Sequence, residues 1–194
     1  MTSQTQGGDT DAVRIVFETA LGAVIAELYP DRAPITTANF LRYVDQGLYD
    51  GATFYRTMRP GAGARPNRAL VIQGGVDPSC RNPPLPPIPL ESTKTSGLSH
   101  LDGTLSIARW EPDTGASEFF VVIGDSPILD HGAPAKPDGQ GFAAFGRIVE
   151  GMEIIRAINA APAQAQTEFE HMRGQALSEP VAVRIARLQA TKRS

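Results

Sequence analysis

Residues 13–28 read Val-Arg-Ile-Val-Phe-Glu-Thr-Ala-Leu-Gly-Ala-Val-Ile-Ala-Glu-Leu. Val13, Ile15 and Phe17 alternate with Arg14, Val16 and Glu18. After a turn around Ala20-Leu21-Gly22, Val24, Ala26 and Leu28 alternate with Ile25 and Glu27. Successive side chains of a strand point to opposite faces, so two such runs joined at a glycine predict a β-hairpin. Val16 and Ile25 fall on the second face, which predicts that a helix or loop covers that face too.

The alternation returns at the other end of the chain, where Val181, Val183 and Ile185 share one face of residues 181–188. Short β-like runs lie between, at 69–73, 103–108, 119–123 and 142–149. Two helices interrupt them. Residues 35–46 follow Pro34, which suits a first helical turn, and stop at Gly47; Phe40, Leu41 and Val44 share a face. Residues 151–159 place Met152, Ile155 and Ile158 in helical register, ended by Asn159 and Pro162. Many short strands, long irregular connections and only two helices predict a mainly β protein built as a closed antiparallel barrel in which the two chain ends meet. Six prolines within 78–89 make that stretch a stiff surface loop. No internal repeat or linker is visible, so one domain over residues 12–190 is expected, with tails at 1–11 and 191–194.

Composition narrows the function. A chain of 194 residues, 41% hydrophobic and 20% charged, can bury a proper single core. Its net charge of -3 argues against a nucleic-acid partner. No run approaches the roughly 18 apolar residues of a membrane span. The polar first eleven residues lack the apolar centre of a secretion leader, so a cytoplasmic protein is expected, or a periplasmic one if a leader has been trimmed. Cys80 stands alone, which precludes an internal disulfide and reads as incidental rather than nucleophilic. His100, His131 and His171 lack metal-ligand spacing, so no metal is expected. Gly61-Ala62-Gly63 is not followed by Gly-Lys-Ser/Thr and makes no phosphate loop. Ser117 with His100 or His131 would be a partial hydrolase triad, but no Gly-x-Ser-x-Gly elbow is present. No cofactor is expected.

Three segments resemble the cyclophilin family of peptidyl-prolyl cis/trans isomerases. The first is Ala33-Pro34-Ile35-Thr36 with Asn39-Phe40, Gly47-Leu48-Tyr49-Asp50-Gly51 and Phe54-Tyr55-Arg56. The second is Val71-Ile72-Gln73-Gly74-Gly75 with Asp77. The third is Gly103-Thr104-Leu105-Ser106-Ile107-Ala108-Arg109 with Ser117-Glu118-Phe119-Phe120. A weaker fourth match runs from Phe142 to Gly146 with Gly151-Met152. They occur in the family's order over residues 13–160 and resemble its bacterial branch. The resemblance implies an eight-stranded antiparallel barrel closed at each end by a helix, with the substrate groove on its outer wall. It implies Arg56 and Gln73 as the catalytic pair, Phe120 as the floor of a proline pocket bordered by Leu129, and Ala108 and Arg109 along the path of the peptide backbone. The substrate it implies is a proline-containing segment of an unfolded or flexible chain, bound by a monomer.

Several positions depart from the family's pattern. Leu70 and Val71 stand where Phe and Met are usual, Arg109 where Asn is, Glu118 where Gln is, Ile128 where many relatives have Trp, and Phe142 where His is usual. Residues 61–69 and 131–141 look like insertions beside the site. Losing the indole at Ile128 implies weak cyclosporin binding. The extra charges suggest a Glu118–Arg109 ion pair that leaves Arg56 to the substrate. They also motivate a rival reading, a peptide-binding or chaperone module of the same fold that turns over poorly. A lipocalin-like carrier would fit the barrel periodicity but not the motifs.

Overall fold

The computed structural model describes residues 12–59, 69–79 and 81–188. The expected tails, Cys80 and residues 61–68 of the first insertion lie outside them. Strands β1 (Val13–Thr19) and β2 (Gly22–Leu28) pair from Val13 opposite Leu28 to Thr19 opposite Gly22, which is the hairpin the alternation requires. Gly22 takes φ +131, and a Cβ there would stand 2.7 Å from Cδ1 of Ile154. The turn therefore needs glycine both for its backbone angle and for close packing.

The other strands are β3 (Thr53–Met58), β4 (Leu70–Gly75), β5 (Thr104–Ile107), β6 (Phe119–Ile123), β7 (Ala143–Glu150) and β8 (Ala176–Arg187). They close into one antiparallel barrel in the order β1-β2-β7-β5-β6-β4-β3-β8, with β8 pairing back onto β1. The first and last strands thus meet as expected. Strand β8 starts five residues before its alternating run because it also pairs with β3, reaching Ala176 opposite Arg56.

Inward-facing residues fill the barrel. Phe17, Phe54, Leu105, Phe119 and Phe145 are fully buried. Phe119 is a hub beside Phe40, with its ring 5.6 Å from Phe17, 5.5 Å from Phe40, 5.8 Å from Tyr49 and 5.9 Å from Phe54. This packed interior is not a lipocalin-like cavity. Helix α1 (Pro34–Asp45) contributes Phe40 and Tyr43 to the core. Its first turn has no local cap; Glu91 caps it from a distant loop, with one carboxylate oxygen 3.1 Å from the Ile35 N–H and the other 2.6 Å from the Thr36 N–H. A single turn, α2 (Thr93–Ser96), follows Glu91. Helix α3 (Met152–Ala160) packs Ile155 and Ile158 beside β2, β3 and β4. No described helix is long and apolar enough to cross a membrane.

Phe119→Ala should leave a cavity at the meeting point of four rings and cost about 3–5 kcal/mol. Urea unfolding measures it; a loss under about 1.5 kcal/mol would show that Phe119 is not a hub of the core.

Candidate active site

Strand register sets the site. Arg56 on β3 sits opposite Gln73 on β4, and Gln73 sits opposite Phe120 on β6. Because Phe119 faces inward, its neighbour Phe120 faces out. A guanidinium, an amide and an aromatic ring therefore stand side by side across three strands of the outer wall.

Around Phe120 lies a second apolar cluster, separate from the core: Val71, Val122 and Leu129 are buried, with Ala108, Ile128 and Phe142 packed against them. The Phe142 ring meets Phe120 at 5.2 Å, nearly perpendicular. Behind Phe120 the His100 ring stacks at 6.2 Å. His100 Nδ1 is 2.6 Å from Asp130 Oδ1, and its Nε2 is 3.0 Å from Ser106 Oγ. This is the arrangement of a hydrolase triad, with Ser106 in place of the Ser117 weighed from sequence. His100 and Ser106 are both fully buried, so the triad braces the pocket floor and presents no nucleophile to solvent.

Arg56 is held from several sides. Its Nη1 donates to Gln73 Oε1 at 3.0 Å. Its Nε and Nη2 both donate to Gln175 Oε1, at 2.9 and 2.6 Å, and Nη2 also donates to the His171 carbonyl at 3.0 Å. Gln175 carried no signal in the sequence. It lies just before β8, across the β3 bulge from Arg56.

The expected Glu118–Arg109 pair does not form. Glu118 is 2% exposed, a buried carboxylate rather than a charge open to a groove. Its carboxylate accepts from Tyr55 Oη at 2.5 Å, from the N–H groups of Val76 and Asp77 at 2.9 and 2.8 Å, and from Ser117 Oγ at 3.2 Å. A Cβ on Gly75 would collide with that carboxylate, so the second glycine of Gln-Gly-Gly makes room for it. Burial pushes the Glu118 carboxyl above its ordinary range, partly offset by these donors. Tyr55 Oη in turn accepts from Gln73 Nε2 at 2.9 Å. A one-way chain results, from Arg56 through Gln73 and Tyr55 to Glu118. Arginine can only donate and a carboxylate only accepts, so the two ends fix which way the Gln73 amide points.

Arg109 is buried elsewhere. It forms a two-bond pair with Asp138, both at 2.8 Å, and donates from Nε to the Gly141 carbonyl at 2.8 Å. Its guanidinium carbon lies 5.5 Å from the Phe142 ring centre. Lys136 donates to the carbonyls of Arg109 and Trp110, both at 2.7 Å. The insertion at 131–141 is thereby clamped onto the groove rim, and its Asp138 is the true partner of Arg109. Leu70 is half-buried and is not among the side chains packed in the Phe120 cluster. Strand parity sets it apart from Val71 and Gln73. On the far side of Arg56, Asp77, Ser79, Arg81, Trp110, Phe169 and His171 line an open cleft of about 880 Å³. Burial, with the charges of Arg56 and Arg81, lowers the His171 pKa.

A family model described as cyclophilin type peptidyl-prolyl cis-trans isomerase/CLD matches residues 14–184. Peptidyl-prolyl cis-trans isomerase A of Dickeya dadantii is 31% identical over 180 residues, 92% of this chain and 86% of that protein. A peptidyl-prolyl cis-trans isomerase of Acinetobacter baylyi is 32% identical over 76% of this chain and 72% of its own length. Among solved structures, a cyclophilin type isomerase of Cryptosporidium parvum crystallised in the presence of the dipeptide Ala-Pro superposes with a TM-score of 0.69 at 20% identity, covering 91% of this chain and 99% of its own.

The Arg109 guanidinium and the Gln140 N–H hold the Asp138 carboxyl at about 2, below its ordinary 3.8. A depressed carboxyl stabilises the fold above its unfolded value, and that contribution disappears as pH falls through about 2. An NMR titration of Asp138 should give a midpoint near 2, moving toward 3.8 in Arg109→Gln. An ordinary midpoint in the unaltered protein would contradict the clamp.

Proposed function

The chain belongs to the cyclophilin-type peptidyl-prolyl cis-trans isomerase family, and from that premise we propose that it rotates X-Pro bonds at the outer wall carrying Arg56, Gln73 and Phe120. The observation that carries this reading is the cross-strand row itself, which sets a fixed cation beside the apolar cluster around Phe120. Peptide C–N rotation is slow because resonance imposes a barrier of about 20 kcal/mol. The X-Pro isomers differ by only about 0.5–1 kcal/mol, so both are populated and the barrier is the whole difficulty. No bond breaks, and the chemistry needs neither nucleophile nor metal.

In the twisted amide the proline nitrogen becomes pyramidal and regains a lone pair. Val71, Phe120, Leu129, Ile128 and Phe142 would hold the ring, leaving the preceding carbonyl free to swing. Arg56 would donate to the nitrogen as its lone pair appears. The guanidinium stays charged at working pH, and its preset position avoids reorganisation during rotation. Only the part of this binding that is stronger in the twisted state accelerates the reaction. Gln73 and Arg56 are thus read as the reacting pair. Ala108 lies along the peptide's path, and Arg109 shapes that path through Phe142. Glu118 acts at a distance, through Tyr55 and Gln73. The substrate class is a proline-containing segment of a flexible chain. A weakly catalytic binding module is the second reading. Lys136 favours it, because its ammonium occupies carbonyls of Arg109 and Trp110 that a peptide backbone could otherwise use.

Arg56→Ala should lower kcat/KM roughly a hundredfold, about 2.7 kcal/mol of barrier, while the protein stays folded. A folded variant keeping more than about half the wild-type rate would exclude Arg56 from the chemistry. Cyclosporin should bind weakly, because Ile128 offers no indole N–H; a lost hydrogen bond and its contact area cost about 1–3 kcal/mol. Titration calorimetry should show affinity rising in Ile128→Trp, and nanomolar binding by the unaltered protein would contradict the argument.

A further inference from the structure

Residues 161–175 leave α3 and return to the wall just before β8. The segment is tied down through its backbone. Ser178 N–H donates to the Pro162 carbonyl at 2.8 Å, Gln175 N–H to that of Met172 at 2.9 Å, and Thr57 N–H to that of Gln175 at 2.8 Å. Met172 packs in a small cluster with Tyr55 and Ala176, joined by Ala165 and Phe169. None of these ties uses the Gln175 side chain, which is nevertheless buried, at 4% exposure.

That side chain meets Arg56. One oxygen, Oε1, accepts from Nε at 2.9 Å and from Nη2 at 2.6 Å, along a single edge of the guanidinium. Gln73 contacts the other terminal nitrogen, Nη1, at 3.0 Å. Nη2 also donates to the His171 carbonyl at 3.0 Å, so Gln73 and His171 each hold one terminal nitrogen, and Gln175 adds the contact at Nε. With both of its contacts on the Nε–Nη2 edge, Gln175 fixes the plane of the guanidinium along that edge. Both are charge-assisted and partly buried, which strengthens them.

We propose that Gln175 is the principal positioning residue of Arg56, setting the plane in which the guanidinium meets the twisted amide, while Gln73 sets the opposite end. The proposal rests on the reading of Arg56 as the catalytic donor. Gln175 acts only through Arg56 and touches no reacting atom. Its acceptor oxygen matters, and its bulk does not.

Three variants separate acceptor from bulk. Gln175→Met keeps the volume without the acceptor, Gln175→Glu keeps an acceptor, and Gln175→Ala removes both. In the unliganded protein, the Arg56 Nε–H resonance should be sharp and slowly exchanging in wild type and Gln175→Glu, and broadened in Gln175→Met and Gln175→Ala. Gln175→Met should lose about tenfold in kcat, with KM within about twofold, because a displaced donor costs rate more than binding. Gln175→Glu should exceed Gln175→Met in kcat. Adding Gln175→Met to Arg56→Ala should cause no further loss, since residues acting as one unit are not additive. The proposal is overturned if Gln175→Met keeps wild-type kcat and an unchanged Nε–H signal, or if its loss adds in full to that of Arg56→Ala. Arg56→Ala in parallel tells the two readings apart. If it is impaired and Gln175→Met is not, the role of Gln175 alone fails; if Arg56→Ala is itself near wild type, the reading of the wall fails and this proposal with it.

Discussion

A barrel filled by its own aromatic side chains leaves only its outer surface for chemistry, and strand alternation decides what stands there. Phe119 is a hub of the interior, and so Phe120 is committed to the exterior. Antiparallel pairing then places Gln73 beside Phe120 and Arg56 beside Gln73. Each neighbour is fixed by backbone hydrogen bonds rather than by the side chains themselves. The site is rigid because the sheet is, and that suits a reaction whose only requirement is a donor already in place when the amide twists.

The same wall carries a second layer of polar contacts. Glu118 is an expensive residue to bury, and four donors offset the cost. In return its acceptor-only character runs through Tyr55 to orient Gln73. Asp138 does comparable work for Arg109 at the groove rim, where the 131–141 insertion and Lys136 narrow the approach. The Arg56 wall and the Arg109 rim are thus fixed by separate ion and hydrogen-bond networks, so variation in one need not disturb the other.

The fold was legible where local pattern and final register coincide. The hairpin at 13–28 and both long helices read directly from their periodicities, and 119–123 from its unbroken apolar run. Strand β3 did not, because a bulge at Tyr55 breaks the alternation: Phe54 enters the core, and the adjacent Tyr55 and Arg56 both face outward, Tyr55 packing with Met172. The early part of β8 was also hidden, since residues 176–180 lack alternation and end in Pro180. In the candidate site, the family resemblance named Arg56, Gln73, Val71, Phe120 and Leu129 because their motifs are local, and the strand register and the Phe120 cluster stand them together. Partnerships were not. Glu118 meets Tyr55 across 63 positions, and Arg56 meets Gln175 across 119. Arg109 and Glu118 were paired on charge alone, whereas each found a nearer partner that only the closed barrel and the insertion supply.

The most direct test of the account follows one X-Pro peptide in a single NMR sample with the isotopically labelled protein. Exchange cross-peaks between the cis and trans peptide should appear at substoichiometric protein, where the uncatalysed process takes tens to hundreds of seconds. The protein resonances that shift should be those of Arg56, Gln73, Val71, Phe120 and Leu129. Shifts at this wall without accelerated exchange would make the chain a binding module, and accelerated exchange with shifts elsewhere would place the chemistry at another site.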